Sequence, residues 1–253
     1  MFEDITPMVI TYNEGVNIAR TLNRLTWARR ILVIDSGSTD GTLDIVRSYP
    51  RAEVVHRPFD GFASQCNFGI AQVTTTWVLS LDADYELSDE LVTELHHLRP
   101  DATISGYQAR FIYRVFGRPL RGTLYPPRTV LYRQDRAHYQ NEGHGHRVTV
   151  AGNVVPLAGV IFHDDRKPLA RWFTAQQRYA REEAQHLLTM DRMALGFADR
   201  IRLAAWPAPF AVFLYALLWK GCLLDGWPGF YYALQRLVAE TMLTLELIDR
   251  RLR

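Results

Sequence analysis

The alternation of strand and helix signals in the first hundred residues most constrains how this chain can fold. Short β-rich runs, PMVIT (7–11), RILVID (30–35), AEVVHR (52–57) and TWVLSLD (76–82), alternate with helical patterns. The helical patterns start near Asn13 and Glu14, at a cap formed by Ser38, Thr39 or Asp40, over FASQCNFGIAQV, and from Ser88 or Asp89 through ELVTELHHL. Strands separated by helices return in the same direction, so the pattern predicts an α/β fold with a parallel sheet. Ligands of such sheets bind at the carboxyl ends of the strands. Thr11–Glu14, Asp35–Asp40 and Asp82–Asp84 all fall at such ends, forming one polar rim from three separate places.

Asp82 and Asp84 carry the sharpest chemical signal. Residues i and i+2 of an extended segment project to one face, so their carboxylates crowd together unless a cation lies between them. Mg2+ and Mn2+ take oxygen ligands, and Mg2+ is commonly held by one or two carboxylates together with substrate phosphates. A solvated turn and a helix cap explain the same residues more plainly. Asp35, at the end of the second run, has the place from which a carboxylate accepts a base N–H or a ribose hydroxyl.

Beyond residue 100 the texture changes. GYQARFIYRVFG, RTVLYR, HRVTVAG and NVVPLAGVIFH read as strands of a mixed sheet, and residues 169–188 as a long amphipathic helix. The expected division is 1–100 for the α/β half, 101–165 for a mixed-sheet half, 166–202 for an amphipathic helix region and 203–253 for an apolar helical hairpin. Seven arginines against one acid, Asp135, lie between Arg110 and Arg136. Guanidinium groups suit phosphates, and a solvated surface strip is the alternative. FHDDRKP (162–168) offers His163, Asp164 and Asp165 for a metal or phosphate, or simply makes a polar turn.

The tail runs uncharged from Leu203 to Trp219 and contains Pro207 and Pro209. Trp206, Trp219, Trp227, Tyr231 and Tyr232 are the amphipathic aromatics found at membrane interfaces. The segment is short for a bilayer span, so an interfacial hairpin is expected. A helix pair in the core, or one pairing two copies into a homo-oligomer, is the alternative. A net charge of +2 implies no nucleic acid partner. Cys66 and Cys222 have no metal-like spacing, and MFEDITPMVITYNE has no secretory pattern. These features suggest work at the cytoplasmic face of the inner membrane, peripheral or interfacial.

MVITYNEGVNIARTL, ILVIDSGSTDGT, DGFASQCNFGIAQ and WVLSLDADYELS, in this order and spacing, resemble the inverting family-2 glycosyltransferases of the GT-A fold. GHGHRVTVAGNV and LWKGCLLDGWPGFYYA resemble the branch that builds lipopolysaccharide core and related glycolipids. The resemblance implies a nucleotide-sugar donor, with a UDP-sugar expected, and a glycolipid or other lipid-linked acceptor. By resemblance, Thr11, Tyr12, Glu14 and Asp35 would hold uracil and ribose. Asp82 would contact ribose or metal, and Asp84 would be the principal ligand of Mg2+ or Mn2+. Gln65 and Asn67 match polar helix positions facing the donor. Between them relatives often carry a basic residue where this chain has Cys66, and Arg128 or Arg133 would replace that charge.

Inversion needs a base on the acceptor hydroxyl. The branch places it in a His-Glu pair, which here is Gly145–His146 within NEGHGH. Glu142 is the narrowly favoured substitute, with His146 or His144 as alternatives of suitable ordinary pKa. Transfer to a polyprenyl phosphate and non-catalytic nucleotide-sugar binding are the competing readings. A nucleotidyltransferase is disfavoured, since no Gly-rich, Lys-containing phosphate loop occurs.

Overall fold

The computed structural model describes residues 2–253 except Gly143, His144, Arg192 and Ala194, with the backbone alone for Glu142 and His146. Two compact units make up the chain. The first comprises Met1–Arg114, Tyr125–Asn141 and His146–Arg166; the second comprises Val115–Leu124, Glu142–Gly145 and Lys167–Arg253.

The strands are β1 (Ile5–Thr11), β2 (Ile31–Asp35), β3 (Ala52–His56), β4 (Trp77–Asp82), β5 (Tyr85–Leu87) and β6 (Ile104–Val115). They continue with β7 (Arg118–Pro119), β8 (Arg128–Arg133), β9 (Ala137–Glu142), β10 (Gly145–Val150) and β11 (Asn153–His163). The main sheet runs β3-β2-β1-β4-β8-β6-β11-β5, while β9 and β10 form a separate ribbon. β3, β2, β1 and β4 are mutually parallel. β8 is antiparallel to both its neighbours, β4 and β6. The sequence therefore predicts both the parallel first half and the mixed second half correctly.

Burial explains the strand sequences. Every residue of β2 is buried, as expected for a central parallel strand covered on both faces. The edge strand β3 is only half-buried. Helices α1 (Ile18–Asn23), α2 (Thr42–Arg47), α3 (Phe62–Ala71) and α4 (Asp89–His97) belong to this unit. One core packs Ile18, Leu22, Leu91 and Leu95 with Val9, Val33 and Leu79; another packs Cys66 and Ile70 with Met8, Leu32 and Ile34. At Gly69 a Cβ would lie 2.3 Å from Met8 Sδ, so glycine is what lets α3 approach β1.

Two helix starts differ from expectation. α1 begins at Ile18 because Asn13, with φ of +55°, turns the chain and residues 13–15 bond to the loop after β2. α2 has Gly41 at its cap position; Ser38 Oγ instead reaches Asp35 Oδ1 at 2.5 Å, while Asp40 accepts from Thr42 N at 3.0 Å. At α4 the cap is as expected, with Ser88 Oγ accepting from Leu91 N at 3.1 Å.

The second unit contains α5 (Leu169–Thr189), α6 (Phe197–Leu203), α7 (Pro207–Leu214) and α8 (Trp227–Leu252). Ala180, Ala184 and Leu187 of α5 pack with Leu243 and Leu247 of α8. Arg202 of α6 grips Glu240 of α8 with Nη2 to Oε1 at 2.9 Å. Among the described residues, no helix is long and apolar enough to cross a membrane.

Candidate active site at the carboxyl ends of the parallel strands

Register builds the rim. Thr11 of β1 pairs with Asp35 of β2, Asp35 with His56 of β3, and Ile10 with Asp82 of β4. The strands thus deliver Thr11, Asp35 and Asp82 to one end of the sheet, as the sequence predicts.

Asp35 is 1% exposed and holds the following turn. Its Oδ2 accepts from Gly37 N at 2.8 Å and Ser38 N at 3.0 Å. Asn13 closes the neighbouring loop: its N–H donates to Ser38 Oγ at 2.8 Å, and its Oδ1 accepts from Thr39 N at 2.7 Å. Glu14 donates its N–H to Thr42 Oγ1 at 2.7 Å and accepts from Asn17 Nδ2 at 2.8 Å. Tyr12, which precedes these anchored residues, is 52% exposed. The loops are braced by their own polar groups, and an aromatic ring is left at the surface.

Thr11 Oγ1 and Gln65 Oε1, both buried at the rim, have no hydrogen-bond partner among the described residues. Such groups carry a desolvation penalty that a ligand can relieve. The other end of the Gln65 amide is anchored, donating to Ser36 Oγ at 2.7 Å and Arg57 O at 2.9 Å. Asn67 differs. Its Nδ2 donates to Tyr139 O at 2.9 Å and its Oδ1 accepts from Tyr139 N at 2.8 Å, so this amide fastens α3 to β9. Cys66 between them is buried, and burial together with the charge of Asp82 pushes its thiol far up, keeping it neutral.

Asp84 meets a residue from the far end of the fold. β5 pairs antiparallel with β11, setting Tyr85 opposite His163, and His163 Nε2 lies 3.2 Å from Asp84 Oδ2. Tyr85, Tyr113 and Tyr125 pack their ring edges around the imidazole at centroid distances of 5.2, 4.7 and 5.2 Å. Burial pulls the imidazole pKa down, but the charge and hydrogen bond of Asp84, with Asp82 and Asp165 behind it, outweigh that and raise it. His163 Nδ1 is buried without a hydrogen-bond partner among the described residues. The FHDDRKP segment thus divides its work. His163 joins the site, Asp164 holds Arg166 at 2.7 Å, and Asp165 accepts from Asn17 Nδ2 at 3.2 Å.

The arginine strip does not form one patch. Arg114 lies over the Phe162 ring at 3.4 Å and reaches Glu86 at 3.3 Å, whereas Arg133 and Arg136 both turn to Asp135. Arg128 sits over Tyr125 at 4.5 Å. Its burial disfavours the charge, and Tyr125, Tyr85 and Asp82 more than restore it. β8 runs antiparallel to β4, with Arg133 opposite Trp77 and Leu131 opposite Leu79. Arg128 is therefore at the Asp82 end of the sheet, and Arg133 is at the opposite end. The side chains of Glu142 and His146, and all of His144, lie outside the described residues.

His163 Nε2 and Asp84 Oδ2 form a close pair, and the charge of Asp82 is felt by His163, Tyr85, Tyr125 and Arg128. Among the described residues no cluster of three or more His, Cys, Asp or Glu is placed to hold a metal ion, so a cation here would need the oxygens of a bound diphosphate to complete its shell.

The family model described as glycosyl transferase family 2 matches residues 8–154, more than half of the chain. The chain belongs to glycosyl transferase family 2. An uncharacterized glycosyltransferase of Rickettsia conorii is 26% identical over 219 residues, spanning 81% of this glycosyltransferase and 77% of that protein. The lipopolysaccharide core biosynthesis glycosyltransferase LpsC of Rhizobium meliloti is 32% identical over 139 residues, or 52% of this chain and 48% of LpsC. Among solved structures, Staphylococcus aureus TarS in complex with UDP-GlcNAc aligns with a TM-score of 0.46 at 16% identity, covering 98% and 91% of the two chains. Glucosyl-3-phosphoglycerate synthase of Mycobacterium tuberculosis, with Mn2+, UDP and glucosyl-3-phosphoglycerate, aligns at 0.45 and 17%, covering 74% and 81%. By its family match the enzyme is a glycosyltransferase, and its sheet has the α/β architecture the sequence predicts.

Proposed function

We propose that this glycosyltransferase transfers a sugar, with inversion and with help from Mg2+ or Mn2+, from a UDP-sugar to a lipid-linked saccharide such as lipopolysaccharide core. It would act at the cytoplasmic face of the membrane. The observation that carries the reading is the approach of His163 Nε2 to Asp84 Oδ2 at 3.2 Å beside Asp82, on a rim with two orphaned buried polar atoms.

Each part of the rim has a task in that reaction. Tyr12 offers an exposed face on which a base can stack, while Thr11 Oγ1 and Gln65 Oε1 offer hydrogen bonds. Asp82, Asp84 and His163 would hold the cation. When bound, a divalent cation supplies charge neutralisation at the departing diphosphate. Arg128 adds a fixed positive charge at the same end of the sheet, with its guanidinium pinned on Tyr125. Glu142, or else His144 or His146, would take the proton of the acceptor hydroxyl as it attacks opposite the leaving group. The likeness to LpsC supports an acceptor of the lipopolysaccharide core class.

Thermal unfolding with a panel of nucleotide sugars, with and without Mn2+, tests the donor half. A ligand that binds only the folded state raises the midpoint, so the correct donor should stand out and do so in a Mn2+-dependent way. Equal shifts with and without Mn2+ would remove the metal from the proposal.

A further inference from the structure

The second unit carries an apolar surface that the transfer reaction does not use. Trp206, Phe210, Leu214 and Leu218 recur every four residues and are all exposed, forming one stripe along α7 and its continuation. Trp219, at the end of this stripe, is 80% exposed, and Trp206, at its start, is 74% exposed. α8 lies alongside, with Phe213 and Phe230 ring centroids 6.2 Å apart, and exposes Trp227. Soluble surfaces rarely leave so many large apolar side chains in one place, and such patches mark interaction sites.

The turn between β6 and β7 points to the same use. Its two residues, Phe116 and Gly117, have φ of +48° and +82°. Both central positions of a type I′ turn require positive φ, and Asn, Asp or Gly adopt it at least cost. Phenylalanine occupies the first position here and is 59% exposed, with its ring 6.3 Å from Tyr231 of α8. Neither turn geometry nor burial explains that choice.

Charge identifies the occupant. From Leu203 to Ala239 the only acid is Asp225. Its buried carboxylate accepts from Arg121 N at 2.9 Å and pairs with Arg121 Nε at 3.2 Å. Arg118, over the Trp227 ring at 5.3 Å, and Lys220, over the Tyr215 ring at 5.6 Å, set basic groups beside these aromatics. Tryptophans beside basic residues on an apolar helix face match the boundary between acyl chains and anionic headgroups. With no spanning helix among the described residues, the face would lie on a bilayer and not cross it.

We propose that the face formed by Phe116, Trp206, Phe210, Leu218, Trp219 and Trp227, with Arg118 and Lys220 at its edge, docks the enzyme on an anionic lipid surface. The proposal stands on the second unit and does not depend on the transfer reading.

Flotation of the full chain with phosphatidylcholine vesicles, with and without phosphatidylglycerol, tests it. The protein should float with the anionic vesicles, and less as salt rises. Trp219→Ser with Leu218→Ser should weaken binding by roughly tenfold per side chain. Arg118→Glu with Lys220→Glu should remove the preference for phosphatidylglycerol. Phe116→Asn guards against misfolding, because it suits the turn better: thermal stability should hold or rise while flotation falls. Asp84→Asn, which targets transfer, should float like the unaltered protein, so failure of one reading is separable from failure of the other. The proposal is overturned if the protein floats with neither vesicle, or if flotation survives the tryptophan and phenylalanine substitutions. It is also overturned if these substitutions abolish self-association measured by light scattering in a protein that does not float.

Discussion

His163 Nε2 stands 3.2 Å from Asp84 Oδ2, although one residue closes β11 and the other follows β4. The contact exists because β5, only three residues long, turns back from the aspartates and pairs with the last strand of the sheet. A tyrosine cage then fixes the ring plane, leaving Nε2 aimed at the carboxylate.

Removing either partner should therefore remove metal response before it removes the fold. For His163→Ala, isothermal titration in the presence of UDP should show Mn2+ binding weakened by roughly 10–100-fold, the loss typical even of residues one shell out from a metal. EDTA should abolish transfer by the unaltered enzyme, and Mn2+ should restore it. Full Mn2+ affinity in His163→Ala would take the imidazole out of the site.

Thr11→Val separates binding from stability at a buried position. The hydroxyl it deletes has no hydrogen-bond partner among the described residues, so the substitution breaks no hydrogen bond there and sheds a desolvation penalty. Urea unfolding should show equal or greater stability, by up to about 1 kcal/mol. Donor KM should rise if this hydroxyl serves the nucleotide. An unchanged KM would assign the unpaired hydroxyl to no ligand.

Asn67→Ala should behave in the opposite way. Its amide meets both backbone groups of Tyr139, and truncation removes both hydrogen bonds. The expected loss is about 2 kcal/mol in urea unfolding, with little direct effect on donor affinity. A large KM change at full stability would return Asn67 to the donor site, where the family resemblance places it.

That reversal shows where the sequence stops being legible. β1, β2 and β4 are readable because each is an apolar run ending in a polar residue, and parallel pairing brings such ends together. Asn67 is not readable because its partner lies on β9, 72 residues away, and backbone groups leave no mark in the sequence. His163 is visible only as an ambiguous FHDD segment, since its place depends on the registers of β11 with β5 and β6. The arginine strip misleads for a related reason. Its arginines fall on several strands and turn to separate neighbours: Arg114 to Phe162 and Glu86, Arg128 to Tyr125, and Arg133 and Arg136 to Asp135.

The clearest test of that last point compares Arg128 with Arg133. Both end the same strand, but the antiparallel register with β4 leaves only Arg128 at the Asp82 end. Its guanidinium is anchored over Tyr125 and counters the Asp82 charge, so Arg128→Ala removes a fixed cation from the rim. A lost charge-assisted hydrogen bond is worth about 1.5–3 kcal/mol, so kcat/KM should fall by roughly 10–150-fold. Arg133 makes a partly exposed pair with Asp135 at 3.4 Å, and such pairs contribute about 0–1 kcal/mol. Arg133→Ala should leave kcat/KM within about twofold and shift stability only slightly. Equal losses from the two variants, measured with the same donor and acceptor, would mean that both ends of β8 serve the reaction, contrary to the register.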